Sequence, residues 1–123
     1  MRKIAVLILG CVLLPQTMLW AVSRTRYVPY LNEYQTRNDD GSRSRTNYVP
    51  YLDEYKTKKS DGSSSRTTYV RYLDEYKTTY SDGTTSRTRY IPYLNVWRTT
   101  YSDGRTEDTR YVPYLDEYQT RSR

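Results

Sequence analysis

The sequence predicts an all-β protein built from tandem 21-residue β-hairpin repeats that form a solenoid or an extended meander sheet. Tyr27, Tyr48, Tyr69, Tyr90 and Tyr111 recur 21 residues apart without an insertion. Four copies carry the same reversal, Asp40-Gly41, Asp61-Gly62, Asp82-Gly83 and Asp103-Gly104. Thr78, Thr79 and Tyr80 before Asp82-Gly83, and Thr84, Thr85 and Thr88 after it, favour a pleated, half-buried surface over a helix.

The chain opens on a leader. Arg2 and Lys3 precede an apolar run over 4–14, then Pro15 and a more polar stretch that ends in small residues at Ala21 and Ser23. That is the three-part plan of a secretory signal peptide. The run is 11 residues long, short of the roughly 20 that span a bilayer. Cleavage is therefore expected after Ser23, with Ala21 the alternative. Residues 1–23 are assigned to the signal peptide and 24–123 to the repeats, with units starting near 24, 45, 66, 87 and 108. The mature protein is expected to be secreted or held in the cell envelope, in the periplasm or at the surface, without a transmembrane helix. Ile8-Leu9-Gly10-Cys11 also resembles a lipobox, in which Cys11 would carry lipid. Apolar Val12, Leu13 and Leu14 replace the polar tether of that motif, and Cys11 is expected to be one more apolar residue of the leader.

Within each repeat the Asp-Gly pair is a strong hairpin signal, because glycine supplies the positive φ of a tight reversal. A three-residue Ser-Asp-Gly loop with a bulge at Gly83 pairs Tyr80 with Thr84. It puts Tyr76, Thr78, Tyr80, Thr84, Ser86, Thr88 and Tyr90 on one face and Glu75, Lys77, Arg87 and Arg89 on the other. This register separates aromatic from charged surface, which a two-residue turn does not. The segment between hairpins is open to two readings. Tyr48, Tyr51, Leu52 and Tyr55 have helical spacing with Pro50 at a first helical position, but about two turns is short for a helix, and strand-and-turn is the other. Arg71 occupies the proline position of the third copy, so proline is not required there.

Composition narrows function. There is no histidine, and Cys11 is the only cysteine, so the mature chain lacks the commonest general base and any thiolate site. Removing Arg2 and Lys3 lowers the net charge from +6 to +4 over all copies, a mild basicity that predicts no nucleic-acid partner. Catalysis requires different groups in one fixed geometry, whereas an array repeats the same groups at each step. No catalytic residue, cofactor or metal is therefore expected. The acidic pairs Asp53-Glu54, Asp74-Glu75 and Asp116-Glu117 would point to opposite faces of a strand. Each Asp-Gly turn offers one or two carboxylates where calcium takes about six to eight oxygens.

The tyrosines remain, 16 in the chain. Columns of amphipathic rings can supply buried area where aliphatics are scarce, stack an extended ligand, or undergo covalent chemistry. The column Tyr34, Tyr55, Tyr76, Trp97 and Tyr118 is the candidate ligand-binding set. Glutamate precedes tyrosine at Tyr34, Tyr55, Tyr76 and Tyr118, a context that suits sulfation or phosphorylation. Val96 replaces that glutamate before Trp97, which makes the fourth copy the expected place for a partner or a second subunit to dock.

Tyr80-Ser81-Asp82-Gly83 and Tyr101-Ser102-Asp103-Gly104, together with the period, resemble the glucan-binding and choline-binding hairpin repeats of secreted bacterial proteins. The YD repeats of large bacterial surface proteins are similar in length. The first two copies depart from the pattern, with Asn38 and Lys59 at the position of Tyr80. The resemblance implies an all-β array that binds cell-wall choline or a glucan. The expected function is that of an exported, non-catalytic binding or structural module that presents tyrosine columns to an extracellular polysaccharide or to itself. The rival expectation is a tyrosine-rich adhesive or matrix protein without one stable fold, which a mean hydropathy of -0.97 permits.

Overall fold

A computed structural model describes residues 22–123. The leader and the lipobox at Cys11 lie outside the described residues. The repeats fold into ten strands: β1 Val22–Val28, β2 Glu33–Asn38, β3 Arg43–Val49, β4 Glu54–Lys59, β5 Ser64–Val70, β6 Glu75–Tyr80, β7 Thr85–Ile91, β8 Val96–Tyr101, β9 Thr106–Val112 and β10 Glu117–Ser122. Each copy supplies two strands and two kinds of reversal.

The Asp-Gly reversal has the expected bulged register. The Tyr80 N–H donates to the Thr84 carbonyl at 2.9 Å and the Gly83 N–H to the Tyr80 carbonyl at 3.0 Å. Tyr76 then pairs with Thr88, and Thr78 with Ser86. Gly83 sits at φ +89, with open space where a Cβ would lie. Glycine is required there by backbone conformation and not by crowding. Each turn aspartate is consumed locally: Asp82 Oδ1 accepts the Thr84 N–H at 2.9 Å and its hydroxyl at 2.6 Å.

The other reversal is a single 3-10 turn, seen at Pro29–Leu31, Pro50–Leu52, Arg71–Leu73 and Pro113–Leu115. It lies between the two readings of that segment. The turn ends on a left-handed residue, Asn32, Asp53, Asp74, Asn95 or Asp116, at φ between 49 and 53. Aspartate and asparagine tolerate this conformation better than other residues with a side chain. Their side chains have a second use here, since each accepts the hydroxyl of the tyrosine five residues earlier. Tyr27 donates to Asn32 Oδ1 at 2.6 Å and Tyr69 to Asp74 Oδ1 at 2.5 Å.

The array does not stay open as a solenoid or an extended meander. Every strand pairs antiparallel with its sequence neighbours, and β1 pairs with β10 to close a barrel. Ser23 lies opposite Thr120, Arg24 opposite Gln119 and Thr25 opposite Tyr118. Strands twist with a fixed hand, so identical hairpins joined by identical corners curl in one sense. Closure removes the two edges that an open array leaves unpaired. It also gives the threonine-rich face a surface to pack on, namely itself.

Three levels of side chains fill the interior. One end is aromatic, with pairs such as Tyr27 opposite Tyr34 and Tyr69 opposite Tyr76. Next comes a ring of ten threonines joined in cross-strand pairs, Thr25 to Thr36 and Thr46 to Thr57 at 2.7 Å, Thr67 to Thr78 and Thr88 to Thr99 at 2.8 Å, and Thr109 to Thr120. The Asp-Gly end is mixed: Ser23, Ser44, Ser65, Ser86 and Glu107 alternate with Asn38, Lys59, Tyr80 and Tyr101. About eight strands make a barrel that ordinary side chains fill, and ten leave more room. Tyrosine rings take up that room, so the fold needs few aliphatics.

The threonine ring makes a direct test possible. Thr67→Val removes one hydroxyl and leaves that of Thr78 buried without its partner, a loss of about 1–3 kcal/mol. Thr67→Val combined with Thr78→Val removes both and is expected to cost less than either single change. Urea unfolding of the four proteins of this cycle measures it. A double variant as weak as the sum of the singles would show that the hydroxyl pair contributes no coupling.

Glutamates on the outward face are held under arginines. Arg87 and Arg89 reach Glu75 at 3.8 and 3.0 Å, and Arg24 and Arg26 reach Glu117 at 3.9 and 3.2 Å. The second clamp joins the first strand to the last, so it ties the seam. Facing Glu54 of the second copy, Thr68 of the third occupies the position of one clamp arginine, and Glu54 Oε1 is buried without a hydrogen bond.

Candidate functional site: an aromatic crown at one end of the barrel

The candidate column Tyr34, Tyr55, Tyr76, Trp97 and Tyr118 lies on the inner face, in register with the buried threonines. Each ring leans on the aromatic directly across the ladder. Centroids are 4.9 Å apart for Tyr27 and Tyr34, 4.8 Å for Tyr48 and Tyr55, 5.0 Å for Tyr69 and Tyr76, 4.9 Å for Tyr90 and Trp97, and 5.0 Å for Tyr111 and Tyr118. Tyr76 also meets Trp97 edge-on at 6.4 Å. Burial raises the phenol pKa of Tyr34 and Tyr76 well above the usual tyrosine value. These hydroxyls stay protonated at any physiological pH, which suits hydrogen bonding and not nucleophilic chemistry.

Beyond this inner layer lies a column that sequence reasoning did not single out as a site. Tyr30, Tyr51, Tyr72, Tyr93 and Tyr114 stand at the tips of the corner turns, 84–87% exposed. Leu31, Leu52, Leu73, Leu94 and Leu115 beside them are also exposed. A signal for this was present. A residue between a proline and a left-handed aspartate occupies the middle of a tight turn, where its side chain cannot share the strand's pleated face. The arrangement is a crown of five tyrosines and five leucines over a rim of paired rings. It offers flat faces, hydroxyls and apolar contact in five equivalent copies.

Val96 does not provide a docking surface. It is 1% exposed and lies opposite Ile91, so the least polar step of the array packs within the chain. Val96 itself therefore has no surface to offer a partner of the fourth copy. Trp97 is half-buried and takes part in the aromatic rim.

The Asp-Gly end differs from the crown. Tyr101 donates to Glu107 at 3.0 Å inside the barrel, and burial holds its pKa well above that of free tyrosine. The Tyr80 and Ser86 hydroxyls are 3.1 Å apart. The carboxyls of Asp40, Asp61 and Asp82 are held below the usual carboxylate range by the hydroxyl and N–H two residues on. Among the described residues, no group of three or more acidic, histidine or cysteine side chains is placed to hold a metal ion.

No helix of the described residues is long and apolar enough to cross a membrane. The strands themselves have 6 or 7 residues and carry arginine and lysine outward. A spanning barrel uses strands of about 9–11 residues with an apolar outer band. Comparison with protein-family models, with curated proteins and with solved structures yields no match.

Proposed function

We propose that the protein is an exported, non-catalytic binding module whose crown of tip tyrosines holds a glycan through five equivalent contacts. One observation carries this reading: five tyrosines are left 84–87% exposed at one end, where the packing of the barrel does not use them, beside five partly exposed leucines. Sugar rings present apolar faces edged with hydroxyls, and tyrosine matches both. The rim of Tyr34, Tyr55, Tyr76, Trp97 and Tyr118 supports the crown from beneath and makes Trp97 a reporter for it. The likeness to glucan-binding and choline-binding hairpin repeats agrees with this assignment.

Export rests on the leader. β1 starts at Val22, and Ser23 is fully buried between Asn38 and Thr120. A cut after Ser23 removes buried Ser23 from β1, which favours the cut after Ala21 of the two. The adhesive reading, with no single stable fold, is less well supported, because the repeats can pair every strand and bury a continuous ring of threonines.

The test is a titration of soluble glucans and of choline, followed through the emission of Trp97. Five weak equivalent contacts act together, so one tip substitution such as Tyr72→Ser is expected to weaken binding slightly. Changing Tyr30, Tyr51, Tyr72, Tyr93 and Tyr114 to serine together is expected to abolish it. A parent protein that binds none of these ligands, or a five-fold variant that binds as the parent does, would remove the reading. Self-association is the second outcome to check, by sedimentation of both proteins over a range of concentrations.

A further inference from the structure

We propose that the outer wall over β2–β5 binds an acidic polysaccharide, a chain whose sugars carry carboxylate or sulfate groups. This wall holds positive charge in excess of its glutamates, since Glu33 and Glu54 are buried at its edge and form no ion pair with a described residue. Arg37 lies directly opposite Arg43, Arg45 opposite Lys58, and Lys56 opposite Arg66. Like charges directly across a ladder destabilise a sheet. On β6–β9 several arginines are matched: Arg87 and Arg89 hold Glu75, and Arg98 holds Asp108 at 2.9 Å. None of the six residues over β2–β5 forms an ion pair with a described residue.

The wall is also shaped. Arg37, Arg43 and Arg45 border a cleft of about 330 Å³ over Gln35. Gln35 is the short member of a column that continues as Lys56, Lys77 and Arg98, whose longer side chains fill the same position in the next copies. A second cleft lies over Gln119, but there Asp108 supplies a negative charge within the lining. The cleft over Gln35 also has one carboxylate in its lining, Glu117, but Arg24 and Arg26 hold it, which leaves Arg37, Arg43 and Arg45 there without an ion pair to a described residue. Guanidinium forks match carboxylate and sulfate oxygens in bidentate geometry.

The choice among polyanions follows from what surrounds the charge. Single-stranded nucleic acid needs rings interleaved with the cations as stacking platforms, and here the tyrosines lie on the inner face and at the crown. An acidic glycan needs no such platform. Only the choice of a glycan rests on the polymer-binding reading of the crown. The unpaired charge stands without it.

The experiment compares the parent with Arg37→Gln, Arg43→Gln and Arg45→Gln combined. The probes are dextran sulfate, polygalacturonate, uncharged dextran and DNA of matched charge, each at low and raised salt. The parent is expected to bind both acidic glycans, more weakly as salt rises, and to bind them more tightly than DNA. The triple variant is expected to lose at least about tenfold in affinity, the order for removing three charge-assisted contacts. Its Tm should equal or exceed that of the parent, since repulsion is removed, so a binding loss is not a folding loss. The five-fold crown variant should still bind dextran sulfate, which separates failure of the crown from failure of the wall. Acidic-glycan affinity unchanged in the triple variant, or DNA bound as tightly as dextran sulfate, overturns the proposal.

Discussion

Ending the chain at Asp116, which removes β10, is expected to abolish cooperative thermal unfolding. β10 lies between β9 and β1 and carries the seam. Its loss exposes two strand edges at once, frees Arg24 and Arg26 from Glu117, and removes Tyr118 and Thr120 from the interior. An open stack behaves differently, because each repeat there contacts only its neighbours, and trimming half of a terminal unit lowers Tm modestly. Circular dichroism against temperature distinguishes the two. A sharp transition in the truncated chain, shifted by only a few degrees, would mean that the seam contributes little.

The second large effect separates two tyrosines of one repeat. Tyr76 is 5% exposed and forms a buried aromatic cluster with Tyr55 and Trp97, whereas Tyr72 is 87% exposed. Tyr76→Ala is expected to lose about 3–5 kcal/mol, the range for truncating a buried large aromatic. Tyr72→Ala is expected to stay within about 0.5 kcal/mol of the parent, as an exposed site should. Glycan binding is expected to show the reverse emphasis, with Tyr72→Ala affecting the crown directly. Urea unfolding of the two variants gives the comparison. Equal losses would contradict the division of the tyrosines into a packed rim and a free crown.

That division marks the limit of what the sequence makes legible. The period, the bulged register at Gly83 and the face shared by Tyr76, Thr78 and Tyr80 follow from local rules, since turn chemistry and alternation act over a few residues. Closure does not follow from them. Whether five hairpins curl shut depends on the twist summed over every strand, and no residue pair near in sequence records that Arg24 meets Gln119. The clamp of Arg24 and Arg26 on Glu117 repeats that of Arg87 and Arg89 on Glu75 one copy apart, but the equivalence across the chain ends is visible only once the barrel is closed.

The tyrosine columns were legible in the sequence, and the direction each one faces was not. Tyrosine columns were the informative residues, yet the expected column Tyr34, Tyr55, Tyr76, Trp97 and Tyr118 faces the interior, and the tips at Tyr30 and its equivalents face solvent. Helical spacing of Tyr48, Tyr51, Leu52 and Tyr55 suggested one shared face. The corner instead breaks after Leu52 at left-handed Asp53, which sends Tyr51 outward and Tyr55 back into the barrel. Burial of Val96 is likewise invisible in the sequence: loss of charge signals an interface only when the residue is on the surface, and this one packs opposite Ile91.

Closure itself is tested by a disulfide across the seam. In a chain carrying Cys11→Ser, Arg24→Cys and Gln119→Cys lie directly opposite each other on β1 and β10. Opposed residues of antiparallel strands have Cα atoms about 4.5–5.5 Å apart, within the roughly 7 Å limit for a disulfide. The matching control is Arg66→Cys with Thr79→Cys, opposed on β5 and β6, which should close whether the array is open or shut. The barrel predicts that mild oxidation of the monomer forms an intramolecular disulfide in both proteins, seen by intact mass and non-reducing electrophoresis. Closure of the control alone, with the seam pair remaining as free thiols or forming only dimers, would contradict it.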